Sequence, residues 1–502
     1  MFRRRVFVIS LLLVQLVFLI ILTAGADLLF WYANLALRAL SIGTCVHVLN
    51  RHTKAGFKIT WIFLILLFPI FGGILYVFFH FQATQRSFGR KADLIARESG
   101  PAFFLHGDRL PEFTARNPEF TAQARYLQEH AGFPVFAATE TTYFDSGEAF
   151  FERLLVELEK AERYVFLEFF IIREGHMFAS ILEILERKAK AGLDVRLIYD
   201  DLGCFLSLPP DFKRTMEAKN IKCLVFNPFR PVLSSLQNNR NHRKIVAIDG
   251  KVAFTGGINL GDEYINLVNR FGRWKDSGVM LEGEGAWSFA LIFLQMWNTD
   301  RSERDNYGRF FPGKSERGRP EGGYVQPYSD NPVDGENVCE HVYIQIINRA
   351  KDYIYINTPY LIPDGSLISA LVLAAKSGVD VRIITPHRWD KWIVATTSRS
   401  YYRQLVAAGV KVYEYASGFN HGKTFVSDDL LATVGTANLD FRSMYLHFEC
   451  GTVIYGGESI RALKDDFLRT LPICHAITLP ECARNVFMRL LSDVLRIFAP
   501  LM

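Results

Sequence analysis

Two stretches of this chain repeat the same five residues at the same spacing. The first copy holds them at offsets 0, 2, 7, 14 and 17, as His242, Lys244, Asp249, Gly256 and Asn259. The second copy has identical offsets, with His421, Lys423, Asp428, Gly435 and Asn438. A single histidine–lysine pair would fit the solvated face of any strand. Five matched positions in two copies instead indicate a duplicated functional unit.

The duplication extends beyond these residues. KAGLDVRLIYD at 190–200 matches KSGVDVRIITP at 376–386, and each follows a strand-like run and a stretch with helical periodicity. Strand, helix and strand at this spacing form a crossover unit that feeds a parallel sheet. The sequence therefore predicts an α/β fold. Two duplicated halves, each with a mixed, mostly parallel sheet and flanking helices, would form one body with pseudo-twofold symmetry.

Each repeated motif is predicted to form a β-hairpin. Asp249–Gly250 is a turn pair between the strand-like runs KIVAI and KVAFTGG. A histidine and a lysine two residues apart on a strand point to the same face. The returning strand brings Gly256 and Asn259 back towards the histidine, where the glycines are expected to leave room for a ligand.

Two such sets of side chains suit a phosphodiester. Lys244 and Lys423 are expected to stabilise its charge, and Asn259 and Asn438 are predicted to bind the phosphate. One histidine would attack phosphorus and the other would protonate the leaving alkoxide, because a pKa of about 6.5 permits both roles near neutrality. The lysines supply positive charge and no metal-ligand cluster is visible in the sequence. No metal and no other cofactor is therefore predicted.

A carboxylate is expected to orient each imidazole through its second nitrogen. Asp276, 34 residues after His242, is the candidate in the first half, and Glu449, 28 residues after His421, is the candidate in the second. A surface salt bridge is the alternative for both acids. Asp249 and Asp428 also have an alternative role. As turn residues they could hold the hairpins without touching the substrate.

The amino-terminal region is predicted to anchor the chain in a membrane. Residues 6–25 and 59–79 carry no charge and match a hydrocarbon core of about 30 Å. Residues 28–48 would add a third span, although they contain Arg38 and His47. A cleaved signal peptide is the alternative for the first run. The number of spans and the side of the membrane that carries the body stay open.

These features divide the chain into six segments. They are a membrane anchor with two or three transmembrane helices at 1–82, a connecting segment at 83–139, the first half at 140–300, a linker at 301–324, the second half at 325–485 and an amphipathic carboxy-terminal tail at 486–502. The net charge of +5 is mild and does not call for nucleic acid. The seven scattered cysteines form no CxxC pair and are interpreted as packing thiols.

The paired HxKx4D and GxxN motifs resemble the phospholipase D superfamily, and longer stretches resemble the bacterial cardiolipin synthases. The stretches that carry this resemblance are 240–264, 358–383, 421–449 and the membrane-like segment 61–79. The resemblance implies two phospholipase-D-like halves in a multi-pass enzyme of the bacterial cell membrane. Such an enzyme transfers a phosphatidyl group between two phosphatidylglycerols, giving cardiolipin and glycerol. Its expected partners are phosphatidylglycerol, other anionic phospholipids and the bilayer, with no nucleic acid.

The family pattern also implies which residues are active. They are His242, Lys244, Asp249, His421, Lys423 and Asp428, with His242 as the nucleophile. His447 stands where the family commonly has asparagine, and Gly422 stands where alanine is usual. Both departures leave the acceptor alcohol open. A lipid hydrolase, a transferase for another head group and a catalytically inactive scaffold remain alternatives, whereas a nuclease would hardly need uncharged spans.

Overall fold

A computed structural model describes residues 28–68, 71–80, 83–230, 235–301, 303–314, 323–483 and 485–502. The uncharged run at 6–25 lies outside the described residues. Helices fill most of the chain before the first sheet. They are α1 (Leu28–Asn50), α2 (Ala55–Leu67), α3 (Phe71–His80), α4 (Ala83–Phe103), α5 (Leu110–Arg116) and α6 (Thr121–Arg125).

The first three helices pack against one another. The uncharged run at 59–79 is divided between α2 and α3. The two glycines at the start of α3 permit close packing, because a Cβ at Gly72 would lie 2.6 Å from the Ile65 Cα and one at Gly73 would lie 2.7 Å from the Ser41 Oγ. Among the helices in the described ranges, none combines the length and the apolar character needed to cross a membrane. The predicted spans therefore stay a prediction.

The first half is a seven-stranded sheet with helices on both sides, in the order β1-β9-β7-β6-β2-β3-β4. Its strands, together with two short strands outside this sheet (β5 and β8), are β1 (Thr139–Phe144), β2 (Tyr164–Phe169), β3 (Asp194–Asp200), β4 (Lys222–Phe226), β5 (Arg240–Asn241), β6 (Ile245–Ile248), β7 (Val252–Gly256), β8 (Arg273–Lys275) and β9 (Gly278–Gly283). The helices are α7 (Gly147–Glu159), α8 (His176–Lys190), α9 (Asp201–Cys204), α10 (Phe212–Ala218) and α11 (Ala286–Thr299).

The second half repeats this strand order as β10-β19-β17-β16-β11-β13-β14, with β20 added at the edge. Its strands are β10 (Tyr324–Asp330), β11 (Tyr353–Asn357), β12 (Leu361–Ile362), β13 (Asp380–Pro386), β14 (Lys411–Tyr415), β15 (Gly418–Asn420), β16 (Thr424–Ser427), β17 (Leu431–Gly435), β18 (Leu439–Asp440), β19 (His447–Tyr455) and β20 (Cys474–Ala476). The helices are α12 (Val338–Arg349), α13 (Gly365–Lys376), α14 (Trp392–Ala407), α15 (Phe441–Tyr445), α16 (Glu458–Thr470) and α17 (Val486–Ile497). The predicted duplication is confirmed.

The prediction that the sheets are mostly parallel is wrong. The crossover units are parallel as expected, with β2, β3 and β4 in register in the first half and β11, β13 and β14 in the second. The hairpins and the strands outside them pair antiparallel. Each sheet is therefore mixed, with its antiparallel part built around the histidine hairpin.

The larger hydrophobic core contains residues of both sheets, and a second core covers the opposite face of the first sheet. Helix α11 is buried on almost all sides, which is the pattern expected for a helix that is apolar around its whole circumference. It packs against α4 and against the β6–β7 hairpin. The Nε1 of Trp287, at its start, donates a hydrogen bond of 2.8 Å to the carbonyl oxygen of Ala102 at the end of α4. The connecting segment before β1 is thus packed into the core of the body.

Candidate active site

Two short parallel pairings link the halves and place the histidines. Strand β5, which leads into His242, pairs with β19 of the second half. Strand β15, which leads into His421, pairs with β8 of the first half. The backbone N–H of His242 donates to the carbonyl oxygen of Phe448 at 2.9 Å, and that of His421 donates to the carbonyl oxygen of Lys275 at 2.7 Å. Each histidine therefore lies beside a strand of the opposite half.

These pairings between the halves determine which carboxylate lies beside which imidazole. The Nδ1 of His242 lies 2.9 and 3.0 Å from the two carboxylate oxygens of Glu449. The Nδ1 of His421 lies 2.7 Å from the Oδ2 of Asp276. Both predicted acids lie within hydrogen-bonding distance of a histidine, but each lies beside the histidine of the opposite half, so the predicted pairing within each half is wrong. Because a carboxylate can only accept, each Nδ1 carries the proton and each Nε2 keeps its lone pair.

The two acids occupy equivalent positions although their sequence offsets differ. Asp276 stands two residues before Gly278, which pairs with Gly256. Glu449 stands two residues before Gly451, which pairs with Gly435. The connection between the hairpin and the next strand is shorter in the second half, so the offsets of 34 and 28 residues describe the same place in the fold.

The small residue after the hairpin makes room for the acid, not for a ligand as predicted. A Cβ at Gly257 would lie 2.0 Å from the Oδ1 of Asp276 and 2.9 Å from the carbonyl oxygen of His421. Thr436 takes the place of Gly257 in the second half, and its hydroxyl donates to the Oε2 of Glu449. Both positions therefore determine how the carboxylate is held.

Replacing Gly257 with alanine is expected to push Asp276 away from His421. A displacement of about 1 Å at a reacting group can cost about 100-fold in rate, so kcat is expected to fall by about that factor while the protein stays folded. Steady-state turnover together with thermal unfolding would measure both effects. Alanine at Gly365, where a Cβ would meet nothing within 4 Å, is the matched control. Full activity of the Gly257 variant would contradict the steric argument.

The two lysines lie beside the histidines. The Nζ of Lys244 donates to the carbonyl oxygen of His242 at 2.7 Å, and the Nζ of Lys423 donates to the carbonyl oxygen of His421 at 2.5 Å. Burial lowers the pKa of Lys244 to about 8 and that of Lys423 to about 7. Each ammonium has three N–H groups, so two on each lysine can face a phosphate oxygen.

Both imidazoles are nearly buried and favour the neutral form. Burial, and then the charges of Lys244 and Lys423, lower the pKa of His242 well below its ordinary value, with His421 also contributing. Burial and Lys423 lower the pKa of His421 to about 4, against the opposing effect of Asp276. A neutral imidazole is the form that can attack phosphorus. A bound phosphodiester anion would favour the imidazolium and oppose the effect of burial.

Both predicted asparagines are buried and already have partners. The Oδ1 of Asn259 accepts from the backbone N–H of Ile171 at 3.1 Å, and its Nδ2 donates to the Tyr264 hydroxyl at 2.8 Å. The Nδ2 of Asn438 donates to the Oδ2 of Asp440 at 3.0 Å. Each amide has a second N–H that these contacts do not use. Phosphate binding by the asparagines stays a prediction.

Asp249 and Asp428 lie at the far end of the hairpins. Both have left-handed backbone conformations, with φ of 54° and 53°. Their carboxylates accept backbone N–H groups at the start of a neighbouring strand, those of residues 162–164 for Asp249 and residues 351–353 for Asp428. Seven residues of extended chain separate each from its histidine by about 20 Å. The structure therefore favours the hairpin-holding alternative over the catalytic role.

Replacing Asp249 with alanine is expected to cost stability more than chemistry. Three buried or half-buried N–H groups lose their acceptor, and losses of about 1–3 kcal/mol each are typical, so the free energy of unfolding is expected to fall by several kcal/mol. Activity per folded molecule should stay within a few fold at low temperature. Asn at the same position keeps one oxygen and tolerates positive φ, and should be milder. A folded but inactive alanine variant would restore the catalytic role.

His447 lies beside the site, and the sequence predicts no role for it. Its ring lies 5.4 Å from that of His242 between centroids, and its Nδ1 lies 3.7 Å from the Oε1 of Glu449. Both of its ring nitrogens are buried and lack a hydrogen-bond partner among the residues described. Potential ligand atoms of His242, His447 and Glu449 all lie within 4.8 Å of one another. Two imidazoles and a carboxylate are donors that a transition metal can use, so the structure forms a cluster that the sequence did not reveal.

A buried ion pair fixes the strand before His242. The guanidinium of Arg240 donates to both oxygens of Asp200, with a shortest contact of 2.8 Å, and Asp200 also accepts the backbone N–H of Asn241. Asp200 is the last residue of strand β3. The ion pair therefore holds β5, which pairs with the second half, against the sheet of the first half. In the sequence, only the arginine two residues before the motif histidine indicated this ion pair.

The chain is similar to known proteins along most of its length. A family model described as "Cardiolipin synthase, PLD-like domain" matches residues 154–270 and 343–471, and one described as "Phospholipase_D-nuclease N-terminal" matches residues 39–79. A Streptococcus mutans protein with no functional name is 42% identical over 472 residues, which cover 92% of this chain and 100% of that protein. The cardiolipin synthase of Geobacillus kaustophilus is 36% identical over 474 residues, which cover 92% of this chain and 91% of that enzyme.

A solved structure has the same fold. The crystal structure of a phosphatidylserine synthase from Haemophilus influenzae superposes with a TM-score of 0.57 at 14% identity. The superposition covers 75% of this chain and 97% of that one. At this identity the likeness concerns the arrangement of helices and strands. It supports the two-half architecture.

Proposed function

This chain belongs to the cardiolipin synthase family of phospholipase-D-like proteins, and from that premise we propose how its residues divide the reaction between them. It is a phosphatidyltransferase that joins two phosphatidylglycerols into cardiolipin and releases glycerol. The observation that carries the proposal is the crossed pair of imidazoles. Each has its Nδ1 bound to a buried carboxylate of the opposite half and its Nε2 available.

In the first half-reaction the Nε2 of His242 attacks phosphorus of the first phosphatidylglycerol. A P–N bond forms and the P–O bond to the glycerol head group breaks. The phosphodiester anion favours the imidazolium form of His421, so this ring enters the step protonated on both nitrogens. Its Nε2–H protonates the leaving glycerol oxygen, free glycerol departs, and His421 is left neutral. Glu449 stabilises His242 as its ring becomes positively charged, and Asp276 does the same for the imidazolium of His421.

In the second half-reaction a hydroxyl of the second phosphatidylglycerol attacks the phosphohistidine. His421 takes the proton of that hydroxyl, the P–N bond breaks, and cardiolipin leaves with His242 restored. Lys244 and Lys423 stabilise the negative charge on the phosphate oxygens in both steps. The unused N–H groups of Asn259 and Asn438 add donors to the same oxygens.

The proposal extends to the membrane. Large apolar side chains on α1, α2, α3 and α17 are exposed, and they include Ile42, Leu66, Phe78 and Phe487. These helices are neighbours in the fold, and a concentration of exposed apolar side chains marks an interaction with lipid or protein. We assign it to the bilayer, in which the phospholipid substrates lie, so that the amino-terminal region anchors the body at the membrane of the cell.

The product distinguishes this function from the alternatives. Full-length protein given phosphatidylglycerol in mixed micelles is expected to form cardiolipin and glycerol in equal amounts, as measured by mass spectrometry. The rate should be the same in the presence of a chelator, because lysines supply the positive charge. Phosphatidic acid as the main product would indicate a hydrolase. Absence of any product from folded protein would indicate a scaffold, and a large loss with chelator would overturn the metal-free scheme.

A further inference from the structure

A cavity lies away from the catalytic residues, between the amino-terminal helices and the body. Its volume is about 1160 Å³, somewhat above the usual range of roughly 300–1,000 Å³ for small-molecule sites. Its walls come from α1 to α4, the segment before β5 and the loop at 332–335. Neither catalytic histidine and neither catalytic lysine lines it. We call it the basic cavity.

Cations outnumber acids in the lining of the basic cavity. The cationic side chains are Arg51, Lys58, Arg86 and Arg90, and the carboxylates are Asp93 and Asp334. Cavities lined mainly by one sign of charge concentrate ligands of the opposite sign. The lining therefore favours an anion, and arginine and lysine are the usual donors to phosphate oxygens.

An aromatic wall lies next to these cations. Phe57 and Trp61 on α2 and Tyr76 and Phe79 on α3 line the cavity. The Trp61 ring lies 5.2 Å from that of Tyr76 and 6.0 Å from that of Phe79 between centroids. A free phosphate would leave this wall in contact with water, whereas a ligand with both an anionic and an apolar part would cover it.

A buried amide in the same lining lacks an acceptor. Asn239 is 2% exposed and lines the basic cavity. Its Nδ2 has no hydrogen-bond partner in the part of the chain that the structure describes. A buried N–H without an acceptor is unfavourable, and an oxygen of a bound ligand would satisfy it.

The helices that form the aromatic wall also carry the exposed apolar surface. Leu66 and Phe68 at the end of α2 are 68% and 54% exposed. Helix α17 packs onto α2, where the Thr60 hydroxyl donates to the carbonyl oxygen of Ile497 at 2.6 Å, and it exposes Val486 and Phe487. An amphiphile in the surrounding lipid would thus meet these helices first.

We propose that the basic cavity binds an anionic phospholipid, with its phosphodiester among the cations and Asn239 and with its chains along the aromatic wall. That this lipid is the next substrate rests on the proposed function. Asn239 lies three residues before His242, and Leu446, which also lines the cavity, precedes His447. The bound lipid would therefore lie against both strands that lead to the catalytic cleft.

Photocrosslinking in nanodiscs tests this binding without relying on turnover. Full-length protein carrying His421→Ala is placed in phosphatidylcholine nanodiscs with a photoactivatable phosphatidylglycerol, and labelled peptides are identified by mass spectrometry. Label is expected on the peptides that contain Trp61 and Phe79. The double variant Lys58→Gln with Arg90→Gln should lower it at least tenfold, since a single charge-assisted contact is already worth about that factor in affinity. Arg116→Gln with Arg125→Gln removes two exposed cations outside the cavity and should leave the label unchanged.

A kinetic measurement links binding to turnover. In the active protein, the cavity double variant should raise the KM for phosphatidylglycerol at least about tenfold and leave kcat within twofold. Equal labelling by a phosphatidylcholine probe, displacement of the label by soluble glycerol phosphate, or labelling that survives the double variant would overturn the proposal. If the His421→Ala protein turned over normally while the labelling pattern held, the proposed chemistry would fail and the lipid site would stand.

Discussion

Replacing His421 with alanine is expected to lower the rate of cardiolipin formation by about 10⁴ or more, the usual scale for losing a catalytic acid and base. The leaving glycerol oxygen would then depart as an unprotonated alkoxide, and no base would activate the second hydroxyl. Initial rates on phosphatidylglycerol micelles would measure the loss. His475→Ala removes an exposed histidine that pairs with Glu481, and this control should keep full activity.

The same variant should still form the covalent intermediate when the leaving group needs no proton. With a p-nitrophenyl ester of phosphatidic acid, the His421→Ala variant is expected to release one equivalent of nitrophenol in a burst and to retain the phosphatidyl group on His242. His242→Ala should give no burst. If the phosphatidyl group were found on His421 in the His242→Ala variant, His421 would be the nucleophile and His242 the acid and base. If it were found on neither histidine, the reaction would not proceed through a phosphohistidine.

The parts of this molecule that follow local spacing could be predicted from the sequence. The hairpins follow from alternation and from a turn pair, and the repeat of strand, helix and strand gives the parallel core of each half. The hairpins are themselves antiparallel, and the strands β1, β9, β10 and β19 add further antiparallel pairs that the repeat does not predict. Their antiparallel pairing depends on which neighbouring strand each of them joins in the sheet. The spacing of residues along the chain does not specify that neighbour.

The crossing of the halves could not be predicted for a similar reason. Strand β5 spans two residues and β8 spans three, so neither has a pattern long enough to recognise. Yet these strands decide that Glu449 meets His242 and that Asp276 meets His421. The sequence identified all four residues by type and by distance from a motif. It did not show which half each acid serves, because that depends on contacts between residues more than a hundred positions apart.

The crossed pairing itself predicts opposite kinetic defects for the two acids. Glu449→Gln and Asp276→Asn should each lower overall turnover by roughly two to four orders of magnitude, since an amide can turn its NH₂ towards Nδ1 and favour the wrong tautomer. With the activated ester, Glu449→Gln should slow the nitrophenol burst because His242 is then a poor nucleophile. Asp276→Asn should keep a fast burst but slow the release of phosphate from His242, because His421 is then a poor base.

The pairing of acid with histidine within each half would give the reverse pattern, with the burst lost in Asp276→Asn. Glu140→Gln, an exposed carboxylate change on strand β1, is the control and should alter neither phase. A double-mutant cycle adds a second reading, because Glu449→Gln should cost little more in a His242→Ala background, whereas Asp276→Asn should cost little more in a His421→Ala background. If the effects of Glu449→Gln and His242→Ala multiplied fully, the imidazole and the carboxylate would act independently, and the two halves would not share one catalytic centre.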